Sequence, residues 1–544
     1  MNKFLHKFSK EIILFIFASI WFYFFTGGII LNPFYIDWIL PSDAETHWLG
    51  WQFYKEQPFF QFPLFKNPNY GLELGSSLVL NDSLAIMAIL FKPFASFIPF
   101  EFQYFGIWIY MCFLLQTYAA FKIFSHFTTD NYLKIIIPLF FILLPPFLWR
   151  IHGHFALIGQ WTLLFGLFLY ITKRNFNFFN WILLISISFF VNAYLSAMIM
   201  GLFVCDLIKH VYSTRDISLK ASILYLTKFI ISVIIILFSL GYLMVGKGAG
   251  GSGYGKYNAN LNSFFDPDTI WSTSFIDLPT PIAGYEGFAF PGLGLFIIFI
   301  LVFTRIIFSK FKLNKFYLPL ICLCLIFYIF ALSNNIIFGK DLLFTYEVPK
   351  PLIFLTKIFR SSGRFIWPLF YVITIGSFIF LLKNYPKRYL RYGLLILLIL
   401  QIYDLKDARN YFHYKHTDTG THFGRKGEWE SPMKNEIWQQ LSSKYKKIYY
   451  VYTSNRPKDY FPISHFAAKN KMSINTGYFS RMSKAVTKKV NRTLKRNMIN
   501  NELDNDALYF IYDEKIWLLV LEEHSESDLI KEIDGFRILA PNFY

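Results

Sequence analysis

Read from the first residue, the chain is a succession of apolar runs close to the ~17–25 residues that cross a bilayer as a helix, joined by short polar connections. Runs such as Glu11–Leu31, Ala221–Val245 and Ala289–Phe308 carry almost no charge and lack the alternation of a half-buried strand. They predict transmembrane helices, about eleven crossings over residues 1–403. The pattern changes after residue 403. Short β-rich runs, Lys447–Thr453, Ala507–Tyr512 and Trp517–Leu521, alternate there with polar helical stretches and predict a soluble α/β domain over 404–544. The expected fold is therefore a polytopic α-helical membrane domain followed by a small α/β domain.

Composition supports this reading. The 544 residues are 55% hydrophobic, 21% aromatic and only 16% charged, against the ~25% charged of ordinary globular chains. A net charge of +18 does not point to nucleic acid, because the basic residues gather in the connections Lys122–Lys134, Lys173 and Arg174, Lys209–Lys228, Arg305–Lys315 and Lys383–Arg391. The positive-inside rule makes these loops cytoplasmic. With the N-terminus inside, the connections 33–103, 151–154, 192–194, 247–288 and 336–364 lie on the opposite face. An odd number of crossings then carries 404–544 outside as well, into the periplasm of a bacterial cytoplasmic (inner) membrane. This topology requires the apolar stretch Leu84–Pro99 to lie at the outer interface or re-enter. Lys3, Lys7 and Lys10 precede an apolar run too long for a signal-peptide core and without a small-x-small site, so an uncleaved first span is expected. Cys112, Cys205, Cys322 and Cys324 all fall in apolar runs, where no disulfide framework is expected.

The polar residues with chemical potential cluster in the outer connections. Ser42 followed by Glu45 is a capping-box spacing and predicts a helix from Asp43. Asp43 and His47 then share a face one turn apart, with Trp51 a further turn along. Such a pair suits acid/base work; it equally suits a carboxylate placed at a helix N-terminus beside an interfacial imidazole. Asp82, in Asn81-Asp82-Ser83, is either a second carboxylate of the same loop or an N-cap of the next helix. His152 and His154 flank Gly153, a spacing open both to metal binding and to plain hydrogen bonding. Asn192 and Tyr194 sit between two apolar runs that look short, as in a broken helix lining a cavity or a simple hairpin turn. Gly250–Lys256 reads GGSGYGK, but Tyr257 stands where a P-loop needs Ser or Thr and no strand precedes it, leaving a mobile outer loop or a linker. Arg360 and Arg364 lie on the face where positive charge is disfavoured, which points to an anionic partner such as a lipid phosphate, or to snorkelling. Arg481–Arg496 holds seven basic residues and no acid, a solvated helix face or a contact for anionic lipid or glycan.

The strings SDAETHWLGWQFY, NPNYGLELGSSLVLNDS, HGH, NAYLSAM, YEGFAFPGLG and RSSGRFIWP resemble a bacterial family of GT-C-like membrane proteins. The resemblance covers nearly the whole chain and extends to the GT-C superfamily of integral membrane glycosyltransferases. It implies transfer of a sugar from a polyprenyl-phosphate donor, with inversion, to a glycan, lipid or protein acceptor of the cell envelope on the outer face. It places Asp43 as catalytic base, assisted by His47 and with Asp82 nearby. It also implies that His152, His154, Asn192, Tyr194, Glu286, Arg360 and Arg364 contact substrate. No nucleotide or redox cofactor is expected. The first outer loop has no adjacent Asp-x-Asp or Glu-x-Asp pair, so a divalent metal is left open. The competing readings are a transporter or flippase for a lipid-linked glycan, and a non-catalytic component of surface-glycan assembly. Against transport, the expected spans carry no deep charge and the two halves of the chain are not alike.

Overall fold

Apolar sequence in hydrocarbon must satisfy its own backbone, and the long runs do so as helices. A computed structural model describes residues 9–40, 43–173, 175–245, 251, 253–280, 284–309, 313–417, 430–522 and 525–544. Among these, seven helices are long and apolar enough to cross a membrane: Ser9–Thr26, Phe105–Phe124, Phe155–Thr172, Ala193–Tyr212, Leu219–Leu240, Lys315–Leu332 and Ser362–Asn384. An eighth is reached if Leu133–Ile142 and Pro145–His152, bent by 48°, form one span. The bend falls before Pro145 and Pro146, where the helical hydrogen-bond ladder must break. By the length and composition of its helices this is a polytopic membrane protein. Leu84–Pro99 appears as a short helix, Ala85–Phe91, continued by the 3-10 segment Lys92–Phe97. Lys3, Lys7, Ser42, Arg174, Gly250 and Ser252 lie outside the described residues.

The chain forms two compact units that do not follow chain order. The first comprises Met1–Trp38, Tyr104–Val233 and Ser252–Phe423; the second comprises Ile39–Gln103, Ile234–Gly251 and Gly424–Tyr544.

The first unit is the helical bundle. Asn192, in extended conformation, separates Phe178–Val191 from Ala193–Tyr212. The second of these helices has 20 residues, so the sequence reading of two short runs is corrected: only the first is short. Asn192 is the N-cap of the longer helix, its side chain accepting from Tyr194 N at 2.9 Å. At the other end of that helix Lys209 is buried against Asp206 at 2.5 Å and donates to Tyr170 O at 2.8 Å, while His210 meets Asp216 at 2.8 Å. Arg391 pairs with Asp130 at 2.5 Å. Two strands, β1 (Asn335–Phe338) and β2 (Asp341–Thr345), form an antiparallel hairpin.

The second unit is built on a five-stranded sheet of β3 (Lys447–Val451), β4 (Ser473–Ile474), β5 (Ala507–Ile511), β6 (Leu529–Ile533) and β7 (Phe536–Ala540), in the order β4-β3-β5-β7-β6. β3 runs parallel to β4 and β5, and β7 antiparallel to β5 and β6. The strands expected at 447 and 507 are present. The one expected at Trp517–Leu521 is instead the helix Glu514–Glu522, which buries Ile516, Trp517 and Val520 and exposes Leu518 and Leu521. That three- to four-residue spacing is a helical stripe. β6 and β7 join through Asp534 (φ 50°) and Gly535 (φ 83°), the two positive-φ positions of a type I′ turn. The edge strand β4 is covered by the turn 67–71: Gly71 N donates to Ile474 O at 2.8 Å, and Ile474 N to Asn69 O at 2.9 Å. Against this domain lies the helix Ala44–Lys55, all twelve residues of which are buried.

Candidate functional site

Within the first unit, three connections meet around one carboxylate. Glu286, in the 3-10 turn Gly284–Gly287, is buried between two buried arginines. Arg150 donates from NH1 to Oε2 at 2.8 Å and from NH2 to the Glu286 carbonyl at 3.3 Å. Arg364 donates from Nε to Oε2 at 2.9 Å and from NH2 to Oε1 at 2.5 Å. Both guanidiniums also lie over aromatic rings, Arg150 over Trp367 at 4.8 Å and Arg364 over Tyr194 at 4.6 Å. The Tyr194 hydroxyl in turn accepts from Ser361 N at 3.1 Å. Burial alone would raise the Glu286 carboxyl, but Arg364 and Arg150 overcome it and hold the group well below the usual carboxylate range. Two permanent cations around one anion leave this buried cluster net positive. His154, partly exposed, places Nε2 4.0 Å from Glu286 Oε1. Arg360, four residues before Arg364, is half-buried, and no ion pair for it stands among the described residues.

Glycines let these connections close. A Cβ on Gly287 would stand 2.2 Å from Ala259 Cα, and one on Gly363 would stand 2.6 Å from Gly287 N. Gly363 N donates to Tyr257 O at 2.9 Å. Backbone therefore packs directly on backbone where YEGF meets SSGR, and any side chain there would force the strands of chain apart.

In the second unit the acid/base candidates surround the start of the helix Ala44–Lys55. Asp43 is its N-cap residue, although the side chain makes no cap hydrogen bond; its carboxylate instead accepts from Arg456 NH1 at 3.0 Å, and Arg456 lies over the Tyr478 ring at 4.9 Å. Glu45 is buried and takes the Tyr460 hydroxyl, and Thr46 donates to Tyr478 O at 2.7 Å. His47 is buried, and one of its ring nitrogens lies within 4.8 Å of an Asp82 carboxylate oxygen. Asp82 is not an N-cap: it has left-handed backbone (φ 52°), and Leu84 precedes the next helix. The asparagine–aspartate–serine turn directs that carboxylate back toward His47 rather than forward along the chain.

Residues 15–406 match the family described as a domain of unknown function (DUF6311), and residues 437–541 match its C-terminal domain. The chain belongs to the DUF6311 family. No curated protein matches it. The two DUF6311 regions differ from the compact units, since the C-terminal sheet gathers segments from inside the first region. Of the residues singled out in this DUF6311 chain, His154, Tyr194, Glu286 and Arg364 come together in the first unit, and His47 and Asp82 in the second. The His152 ring stacks on Tyr411 at 6.4 Å and its carbonyl accepts from Lys415 at 3.0 Å, so its contacts run to the helix Lys406–Thr417. Asn192 is occupied as a cap. The sequence reading missed Arg150, Arg456 and Tyr460. Only Arg150 left a signal, a lone charge closing the apolar run before HGH.

Proposed function

We propose that this DUF6311 protein is an integral membrane glycosyltransferase that takes a sugar from a polyprenyl-phosphate donor and passes it to a cell-envelope acceptor on the outer face. The observation that carries this reading is the buried, net positive Arg150–Glu286–Arg364 cluster, with Arg360 beside it on the same connection. Planar guanidiniums fixed by a carboxylate and by aromatic faces are suited to a phosphate oxygen as negative charge develops on it. In the reaction, an acceptor hydroxyl oxygen forms the bond to the anomeric carbon as the bond to the donor phosphate breaks. The phosphate leaves with the electron pair, and the hydroxyl proton passes to a base. The resemblance assigns that base to Asp43 with His47. The commitment of Asp43 to Arg456 favours a second assignment, His154 against Glu286, on the connections that carry the arginines themselves.

The contacts within the first unit support the topology that this reading needs. The bent pair, Phe178–Val191, Leu293–Ile307 and Lys387–Asp404, added to the seven long helices, bring the crossings to about eleven. Glu286 and Arg364 come from two connections assigned to the outer face, and Arg150 immediately precedes a third, 151–154. Asp130 and Arg391, and likewise Ser213 and Lys315, pair connections assigned to the cytoplasm. None of these pairs joins opposite faces.

The test is binding of a polyprenyl-phosphate sugar to the protein in nanodiscs. Arg360→Lys keeps the charge but removes the fork and should weaken donor binding about tenfold. Equal affinity in the variant would take the arginine out of the site. In a deletion strain, transfer leaves an unmodified surface polymer, whereas a completed lipid-linked glycan trapped inside would show transport instead.

A further inference from the structure

The helix Lys484–Ile499 carries its charges and its apolar residues on separate stripes. Val490, Leu494 and Met498 are buried in the second unit, which anchors one side. On the other side Lys484, Lys488, Arg492 and Lys495 follow one another at steps of four, four and three residues, about 16 Å of helix at 1.5 Å per residue. They line an open depression of about 500 Å³ whose opposite wall is the segment leaving β3, with Tyr452 and Ser454. Asn491 fixes the two walls together, its amide donating to Thr453 O at 2.8 Å. No acidic residue lines the depression, and among the described residues none of the four cations forms an ion pair. Like charges one turn apart destabilise a helix, so the stripe is uncompensated within the chain.

We propose that this depression binds an anionic glycan, a sugar polymer bearing carboxylate or phosphate groups along its length. Four cations spaced over three turns match charge distributed along a chain rather than one compact anion. A bilayer surface fits poorly, because the apolar face that would insert among lipids is already used in the core. A peptide cannot extend the sheet at its β4 edge, which is covered by residues 69–71. Nucleic acid would ask for several stacking platforms, and Tyr452 is the one aromatic side chain in the lining. Thr487 and Ser454 add hydroxyl groups that meet sugar hydroxyls. The proposal does not rest on the transferase reading, because binding alone tests it.

The experiment uses the full chain in neutral nanodiscs and measures binding of fluorescent oligogalacturonate, with neutral dextran of the same length as reference. Oligogalacturonate should bind, dextran at least tenfold more weakly, and added salt should weaken the former. The double reversal Lys488→Glu with Arg492→Glu should reduce oligogalacturonate affinity at least tenfold. Lys515→Glu with Lys531→Glu, exposed positions elsewhere on the unit with the same change in charge, should leave it nearly unaltered. Equal loss in both pairs would reduce the effect to net charge and overturn the site. So would equal binding of dextran, tighter binding of polyglutamate, or reversals that affect only attachment to phosphatidylglycerol vesicles.

Discussion

Replacing Glu286 by Gln keeps the shape of the side chain and removes its charge, which makes it the sharpest perturbation of the buried cluster. Oε2 receives Arg150 NH1 at 2.8 Å and Arg364 Nε at 2.9 Å, and Oε1 receives Arg364 NH2 at 2.5 Å. An amide can offer an oxygen to only one of these positions. In its better orientation its NH₂ group still faces the Arg364 NH2 group, so a donor meets a donor where the strongest contact stood. Two guanidiniums are left buried without a counter-charge, and breaking a buried pair in this way costs about 3–5 kcal/mol. Unfolding in mixed micelles, followed by tryptophan fluorescence, should show that loss at neutral pH. The pH dependence gives a second check. The folded carboxyl lies below its unfolded value of ~4.3, so its contribution is complete above that value and fades as pH falls toward the folded one. The gap between wild type and variant should therefore narrow on going from about pH 6 to about pH 3. A loss below about 1 kcal/mol, or a gap indifferent to pH, would mean that water rather than protein satisfies the arginines and would refute the buried-cluster argument.

Gly287→Ala should destabilise by at least the ~1–3 kcal/mol of an overpacked site, since the new methyl meets Ala259 Cα at 2.2 Å; a variant as stable as wild type would show that this backbone contact can relax. Asp43→Asn breaks a half-exposed pair with Arg456 and should change stability by less than about 1 kcal/mol, while transfer falls roughly a hundredfold if Asp43 is the base. Full transfer in Asp43→Asn together with its loss in His154→Gln would move the base to His154. His465, stacked on Trp48, is pushed down to about 4 by burial and by Lys469. Its neutral form is the folded one, so stability present above the unfolded value of ~6.5 is lost as pH falls toward 4. His465→Gln should flatten that interval of the stability profile, and a ring that titrates near 6.5 by NMR would contradict it.

The membrane class was legible because hydrocarbon imposes a length and a composition on any segment that crosses it. The strands at 447 and 507 were legible for a similar reason, both rich in β-branched and aromatic residues and the second buried along its whole length. Trp517–Leu521 misled because five apolar residues in a row carry no period; only neighbours decided that Leu518 and Leu521 would face solvent. The β6–β7 hairpin did announce itself, in the Asp534-Gly535 pair between alternating runs, and was overlooked. Glu286 and Arg364 were named, yet their mutual pairing was not, because nothing in a sequence ties position 286 to 150 or 364. The helix from Ala44 was expected at a wet interface on the strength of Asp43, Glu45 and His47. Tyr460, 415 positions later, takes the carboxylate of the buried Glu45, while Arg456 holds Asp43 at the half-exposed start of the helix.

That pairing also sets a schedule for biogenesis. Tyr70 bridges Ile474, and the edge of the sheet closes on a turn made some four hundred residues earlier. At ~5–20 residues per second, roughly 20–80 s separate the synthesis of the two. For that interval the segment bearing Trp48, Trp51 and Tyr54 has been made but has no sheet to fold against. Its aromatic rings must meanwhile be shielded by lipid, by a chaperone or by collapse on themselves. A stall or truncation after Asp404 but before Ile474 would leave a complete set of apolar helices with an unfinished, protease-sensitive first loop.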